Sequence, residues 1–555
     1  MSSLFPKVVI ISIFLFCQIS SSFLFTSPAT ASRIFGVSAW ATQVYRIHHP
    51  VHFDHTSSSR RRPRSSKNAY PDTIVSGDTN DGGGYDINDG SLLLTRMTSS
   101  ASQLKILLGR MSLYFGSMVD PETNRFFLLS NPQCDCQSQS QFSTTTCYFH
   151  QHCPLRDLGS SWDATTAVQV LSDHQDTSEP VGTAIAALKD AVLQTVEHYS
   201  SSFASVDGNT MEGKGISLSS EIVKEPPNIA HNGLLLLTLV EAERLRLFGD
   251  GTTASSSLST ASTMDGLARG ILSMQRSDGA FRTYYTSRDY NNEDVYRGIE
   301  FFSGEAMTAL VEFFSYSSKQ NSKDAQSSVA VNDETQDQIL PAIIRALNFY
   351  RGFYEDVRRN MTIDTNYAIW QVQAFGRLSL VLRRLAFEDS NSGKTLSPPA
   401  DGNVEQATTA EIISDEAADY CLDMCKDIVR SPAWRTISRG KSFYPNLSTV
   451  EIACGLDALV QGGILAAQRC HHHGENENGD NGSIENSESE DYLLLFARHI
   501  DHAIDFLSWS QDRVPSDSKV GYGGLGYGGL QVMEQRLDIT GHALSALSKL
   551  VLHTK

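Results

Sequence analysis

Six stretches of the chain open alike: WDATTAVQVL at 162, GLLLLTLVEA at 233, GEAMTALVEF at 304, NYAIWQVQAF at 366, VEIACGLDAL at 450 and GHALSALSKL at 541. Their second positions hold Asp163, Leu234, Glu305, Tyr367, Glu451 and His542. Three carboxyls, a phenol and an imidazole at one register are the side chains that move protons. Asp163, Glu305 and Glu451 are candidates for an acid and a base or nucleophile. Such a pair acts on a glycosidic bond from about 5–5.5 Å apart with retention, or about 6.5–9.5 Å with inversion. Asp538 stands four residues before His542 and shares its helix face, which permits a carboxylate–imidazole couple. The competing reading is that these acids only offset the dipole at the start of a helix.

A second set of residues could hold a substrate. Ahead of Glu305 runs RTYYTSRDYNNEDVYRGIEFF, with Arg282, Tyr285 and Glu300 among interleaved aromatics and charges. That mixture suits a sugar, whose ring faces stack and whose hydroxyls take charged partners. Asp364 and Trp370 lie in TIDTNYAIW, Arg536 in MEQRLDITGH, and Trp162 beside Asp163. Tyr367, His542 and Arg536 could instead serve lyase or epimerase chemistry on a uronate. Solvated loop and buried aromatic are the plain alternatives for these positions.

Helices must position all of them. Apolar spacing of three and four predicts about twelve helical segments from residue 99 onward. Six are amphipathic, over roughly 99–118, 181–201, 263–276, 339–357, 412–430 and 491–509. Six are more uniformly apolar, over roughly 161–172, 230–247, 303–317, 362–380, 447–469 and 536–552. The kinds alternate, giving six outer–inner hairpins. Polar stretches at 250–263, 317–337, 389–405 and 471–491 read as loops between them. Repeated hairpins bury their inner faces only by packing side by side, and closing six into a ring leaves no open end. The expected fold class is therefore all-α, an (α/α)6 toroid over 99–553, with the inner N-termini gathered at one mouth.

The alternation, the turn QRSDGAF and the inner-helix start SGEAMTALVEF together resemble the six-hairpin glycosidase-like superfamily. The resemblance implies the toroid, and it implies one of the activities that fold serves. The leading expectation is a carbohydrate-active enzyme with a glycan substrate: a glycoside hydrolase, lyase or epimerase. The alternative is a non-catalytic toroid that binds a glycan or a protein. Terpene cyclases share the fold, but their DxDD and DDxxD clusters are absent. Lanthionine cyclases share it too, with zinc on cysteine and histidine. Cys470 precedes His471, His472 and His473, but at the far end of an inner helix, so no metal and no cofactor is expected.

Composition sets the remaining limits. The chain has 555 residues and a formal charge of −18, which argues against a nucleic-acid binder. One apolar run, Val8 to Cys17, follows Lys7, and it predicts a signal peptide over 1–25 with no further membrane domain. Residues 1–71 carry eight basic residues and one acid, a net +7 against −25 for the rest. The segment 26–98 is expected to be a disordered basic leader and linker, with 72–98 the linker. The address is the secretory pathway, or a complex plastid through a two-part leader. Sequons at Asn360, Asn446 and Asn481 suit a lumenal route. Eight cysteines lie beyond the apolar run. A disulfide is expected among Cys134, Cys136, Cys147 and Cys153. The protein is expected to be a monomer.

Overall fold

A helix that is apolar on every side can only persist if neighbours cover every side, and six helices of this chain are covered in that way. The structure, a computed structural model, describes residues 86–130, 148–149, 153–173, 179–206, 215–248, 260–285, 299, 301–323, 333–360, 365–391, 403–475, 483–513, 523–526 and 535–552. The signal and basic leader, Glu300, Asp364, Cys134, Cys136, Cys147 and Asn481 lie outside the described residues.

Gly83–Lys555 forms a compact unit. In chain order its helices are α1 Asp86–Arg96, α2 Ala101–Ser117, α3 Pro154–Asp173, α4 Glu179–Ser200, α5 Ser220–Val223, α6 Ile229–Arg244, α7 Thr260–Ser273 and α8 Phe302–Lys323. They continue as α9 Asp333–Asn360, α10 Thr365–Asn391, α11 Asn403–Arg430, α12 Pro432–Ile437, α13 Thr449–Glu475, α14 Ser483–Asp512 and α15 Leu537–Leu552. Among the described residues five short strands accompany them: β1 Leu129–Ser130, β2 Tyr148–Phe149, β3 Phe203–Ser205, β4 Ile216–Leu218 and β5 Gln535–Arg536. The fold class is all-α.

All twelve expected helices are present. The apolar set is α3, α6, α8, α10, α13 and α15. Of the 16 residues of α6, 13 are buried, which explains its continuous leucine run. Each helix of the apolar set packs on the next, and α15 packs on α3. Neighbours run parallel. Gly233 abuts Ala306 and Arg244 pairs with Glu312; Gly304 abuts Trp370 and Glu312 pairs with Arg377; Gln373 donates to the Asp457 carbonyl and Gly376 abuts Gln461, so contacts advance in step along both helices of each pair.

Three expectations need correction. The hairpins pair the other way: each apolar helix packs against the amphipathic helix that follows it, and α15 packs against α2, the first of that set. The spacing along the chain agrees, since five residues separate α3 from α4, whereas 28 separate α4 from α6 and 28 separate α7 from α8. The expected linker over 72–98 is partly helical, because α1 occupies Asp86–Arg96 and Leu93 is fully buried. A second apolar run exists as well. Thr449–Cys470 is long and apolar enough to cross a membrane, but 83% of it is buried inside the protein, as for a core helix.

The turn QRSDGAF anchors one of the crossings. Gly279 has φ +96°, and a Cβ there would overlap the Arg345 carbonyl of α9, so only glycine fits. The Gln275 amide donates to the Ala342 carbonyl at 2.7 Å, fixing the turn on α9. Gly523 repeats the device. It has the same φ, faces the Arg110 carbonyl of α2, and its own carbonyl accepts from Gln511. Where that second crossing ends, β5 pairs with β1 and sets Arg536 at the start of α15.

Candidate active site at the N-terminal ends of the apolar helices

Three of the expected catalytic groups meet. His542 on α15 interacts electrostatically with both Asp163 on α3 and Glu305 on α8. Asp163 and Glu305 are 7% and 6% exposed. Burial pushes each carboxyl up to about 7, against the pull of the His542 charge. Glu305 Oε2 is buried with no hydrogen-bond partner, an expensive state for a carboxyl that only packs. Gly541 makes room for Asp163, because a Cβ at 541 would overlap its carboxylate.

Two of the candidate aromatics come together. Trp162 and Trp370 lie with ring centroids 6.0 Å apart and tilted by 32°. Trp370 meets the His542 ring edge-on at 5.9 Å. The Arg377 guanidinium lies over Trp162 at 5.8 Å from the ring centroid.

Tyr367 and Glu451 do not join this group. The Tyr367 hydroxyl donates to the Tyr350 carbonyl at 3.1 Å, and its ring stacks on Tyr354 at 6.1 Å, so it faces α9. Glu451 accepts from the Ser431 hydroxyl at 3.4 Å, beside the start of α12. Both stand one turn too early. The residues at the level of Glu305 and His542 are Trp370 and Cys454, three positions later on α10 and α13. Seven residues beyond these four lie Glu312, Lys549, Arg377 and Gln461, and the first three are charged. Glu312 is ion-paired with Arg377 and with Arg244. Those two arginines overcome burial and hold its carboxyl down at about 2.

Asp538 does not orient His542. Its carboxylate is ion-paired with Arg156 of α3 and Arg536 of β5, and it also accepts from the Ile539 amide at 3.0 Å. It therefore ties the start of α15 to the start of α3, and Arg536 serves the same tie. Next to it, Arg125 is paired with Asp157, which also accepts from the Tyr199 hydroxyl at 3.0 Å. Arg282 is exposed, with its backbone amide bonded to the Met274 carbonyl in the turn after α7. Tyr285 is anchored to the Pro227 carbonyl ahead of α6, and its hydroxyl is buried without a partner.

The partner of His542 is a residue the sequence reading passed over. Asp457 Oδ2 lies 3.9 Å from His542 Nδ1, and Asp457 Oδ1 lies 2.7 Å from Lys549 Nζ. Burial would neutralise Asp457, but Lys549 and His542 outweigh it and hold the carboxyl at about 2. Burial likewise lowers Lys549 against the pull of Asp457. For His542, the neighbouring Cys454, Asp457 and Asp163 overcome burial, so the ring lies well above its ordinary value. The available signal was a charge in an otherwise apolar helix, in ACGLDALV and again in ALSKLVL.

Among the described residues, no group of three or more His, Cys, Asp or Glu side chains could hold a metal ion. His471, His472 and His473 fall in the last turns of α13, at the opposite end from this cluster. The described cysteines, Cys153, Cys421, Cys425, Cys454 and Cys470, are free thiols. No family model matches the chain, and no curated protein matches it.

Proposed function

We propose that the chain is an (α/α)6 toroid of the six-hairpin glycosidase-like kind and that it hydrolyses a glycoside at the mouth where Asp163, Glu305 and His542 meet. The cyclic packing order of the six parallel apolar helices supports the toroid. The observation that carries the enzyme reading is Glu305. It is a buried carboxyl that keeps its proton up to about 7, with one oxygen unpartnered, on the same layer as an indole pair. A general acid for a leaving alkoxide needs that combination. Trp162 and Trp370, 6% and 8% exposed, are the aromatics of that layer, the residue type on which sugar rings pack.

Hydrolysis is favoured over lyase or epimerase chemistry. Those reactions would draw on a phenol and an arginine free to meet a uronate, yet Tyr367 is bonded to Tyr350 and Arg536 to Asp538. The test is release of reducing sugar from a panel of glycans by the full chain. Glu305→Gln should cut turnover at least a hundredfold while leaving glycan binding in place. Undiminished turnover in that variant would remove the assignment. Binding with no release by the wild-type protein would favour a non-catalytic glycan-binding toroid instead. The leader reading accompanies this proposal, with the secretory pathway as destination and the plastid as the alternative.

A further inference from the structure

Asp457 is a buried carboxylate in an otherwise apolar stretch of α13, where an ionised group is costly unless it is fully used. Its two oxygens have different partners. Oδ1 lies 2.7 Å from Lys549 Nζ, and Oδ2 lies 3.9 Å from His542 Nδ1. Gln373 brackets the pair: its Oε1 accepts from Lys549 at 2.7 Å, and its Nε2 donates to the Asp457 carbonyl at 3.1 Å. The carboxylate therefore cannot turn without losing contacts that join α10, α13 and α15. The Asp457 side chain is 3% exposed and that of His542 22%, so the ring is the end of this series that reaches the mouth.

We propose that Asp457 is a positioning residue: fixed by Lys549 and Gln373, it holds the Nδ1 edge of His542 and so keeps a protonated ring in the layer of Asp163, Glu305 and Trp370. The ring's part in turnover rests on the glycoside reading above; the hold of Asp457 on the ring does not. A tether between helices would be complete with Lys549, Gln373 and Asp457 Oδ1. An Oδ2 turned to His542 is what such a tether does not need. Two further contacts define the place of the ring. Trp370 meets it edge-on at 5.9 Å, and Trp370 is itself seated against Gly304, the residue before Glu305. Asp163 Oδ2 fills the space that a Cβ on Gly541 would take, one residue before His542.

The hold has a chemical consequence. An opposite charge at this distance favours the charged imidazole by about one to three pH units, and it directs the Nδ1 hydrogen at the carboxylate. A fixed imidazolium in turn favours the ionised form of Asp163. Hydrolysis needs such a carboxylate as the partner of the Glu305 acid. The ionisable groups that act on the ring are Asp163 from α3, Glu305 from α8 and Cys454 with Asp457 from α13; Lys549 of its own helix acts through Asp457.

NMR of the full chain with ring-labelled histidine tests the hold. The His542 signal is identified by its loss in His542→Gln or by its cross-relaxation with the Trp370 indole. In the wild-type protein Nδ1 should stay protonated throughout the titration, with a midpoint about one pH unit or more above that of an ordinary histidine. A bare Nδ1 or an ordinary midpoint overturns the proposal, and this readout holds even if a variant fails to fold. Asp457→Asn should lower the midpoint by about one pH unit or more, because it removes the carboxylate charge and leaves Lys549 unopposed. It should also cut kcat on a glycan by about tenfold or more while KM stays within about twofold, and Asp457→Glu should return part of that loss. A midpoint unmoved by Asp457→Asn overturns the hold. Wild-type turnover in that variant ends the positioning role and leaves Glu305 as the acid. A ring that follows Asp457 in a protein that releases no sugar sustains the hold and removes the glycoside reading.

Discussion

Lys549 Nζ lies 2.7 Å from Asp457 Oδ1 and 2.7 Å from Gln373 Oε1, so one buried ammonium joins α15, α13 and α10. Removing one member of such a pair strands the other charge in the interior, at a cost of about 3–5 kcal/mol. Lys549→Met should lower stability by that order in chemical denaturation. Asp457→Asn combined with Lys549→Met should recover part of the loss, since no lone charge then remains. Asp457 lies below its ordinary value, so its contribution is present above pH ~4 and is lost as the pH falls toward 2.

The two acids of the site give the opposite slope. Asp163 and Glu305 are raised in the folded protein to about 7. The folded state therefore binds more protons than the unfolded state between pH ~4 and pH ~7. Stability is greatest below that window and declines as the pH rises through it, by up to about 1.4 kcal/mol per unit for each group. Glu305→Gln should consequently melt higher than the wild-type protein at pH 8 and nearly level with it at pH 4. Calorimetry at the two pH values measures this, and an equal difference at both would contradict it.

Gly304 is a seat for Trp370. A Cβ at 304 would run into the Trp370 side chain and come within 3.0 Å of its carbonyl carbon. Gly304→Ala should cost about 1–3 kcal/mol. Because it displaces the indole, it should also raise KM for the glycan more than it lowers kcat. An unchanged KM would mean that Trp370 packs without touching substrate.

Asn446 belongs to the sequon Asn446-Leu447-Ser448 and is exposed in the short 3-10 turn Lys441–Asn446. If the leader directs the chain through the secretory pathway, the protein from its own cells should carry a glycan there. Endoglycosidase treatment should then lower its mass, and Asn446→Gln should abolish that part of the shift.

The helices were legible because each carries its own period. Within one helix, burial depends on spacing alone, and all twelve segments followed from that. Trp162, Asp163, Glu305, Trp370 and His542 were likewise placed together from their positions near the helix starts. What failed was the rotation of one helix against its neighbours. Tyr367 and Trp370 are three residues apart, and only the fit of Gly304 against Trp370 decides which of them faces the other helices. Gly376 against Gln461 sets α13 in the same way, bringing Cys454 to the level where Glu451 was expected. Such contacts form between segments dozens of residues apart and leave no trace in either helix alone. Asp538 was misread for a related reason, as its partner Arg156 lies 382 residues away.

Helix α1 draws a line for any protease that trims this protein. Leu93 is fully buried against α13, where a Cβ on Gly463 would come within 2.7 Å of it. Cutting anywhere before Asp86 leaves that seat filled. Cutting between Arg96 and Ala101 turns a covalent neighbour into a peptide held only by its contacts with α13, α14 and α15, free to leave with dilution, and opens a greasy slot beside Gly463. Maturation upstream of α1 therefore yields a durable product, while a nick a dozen residues later yields one that sheds a helix and becomes prone to clumping.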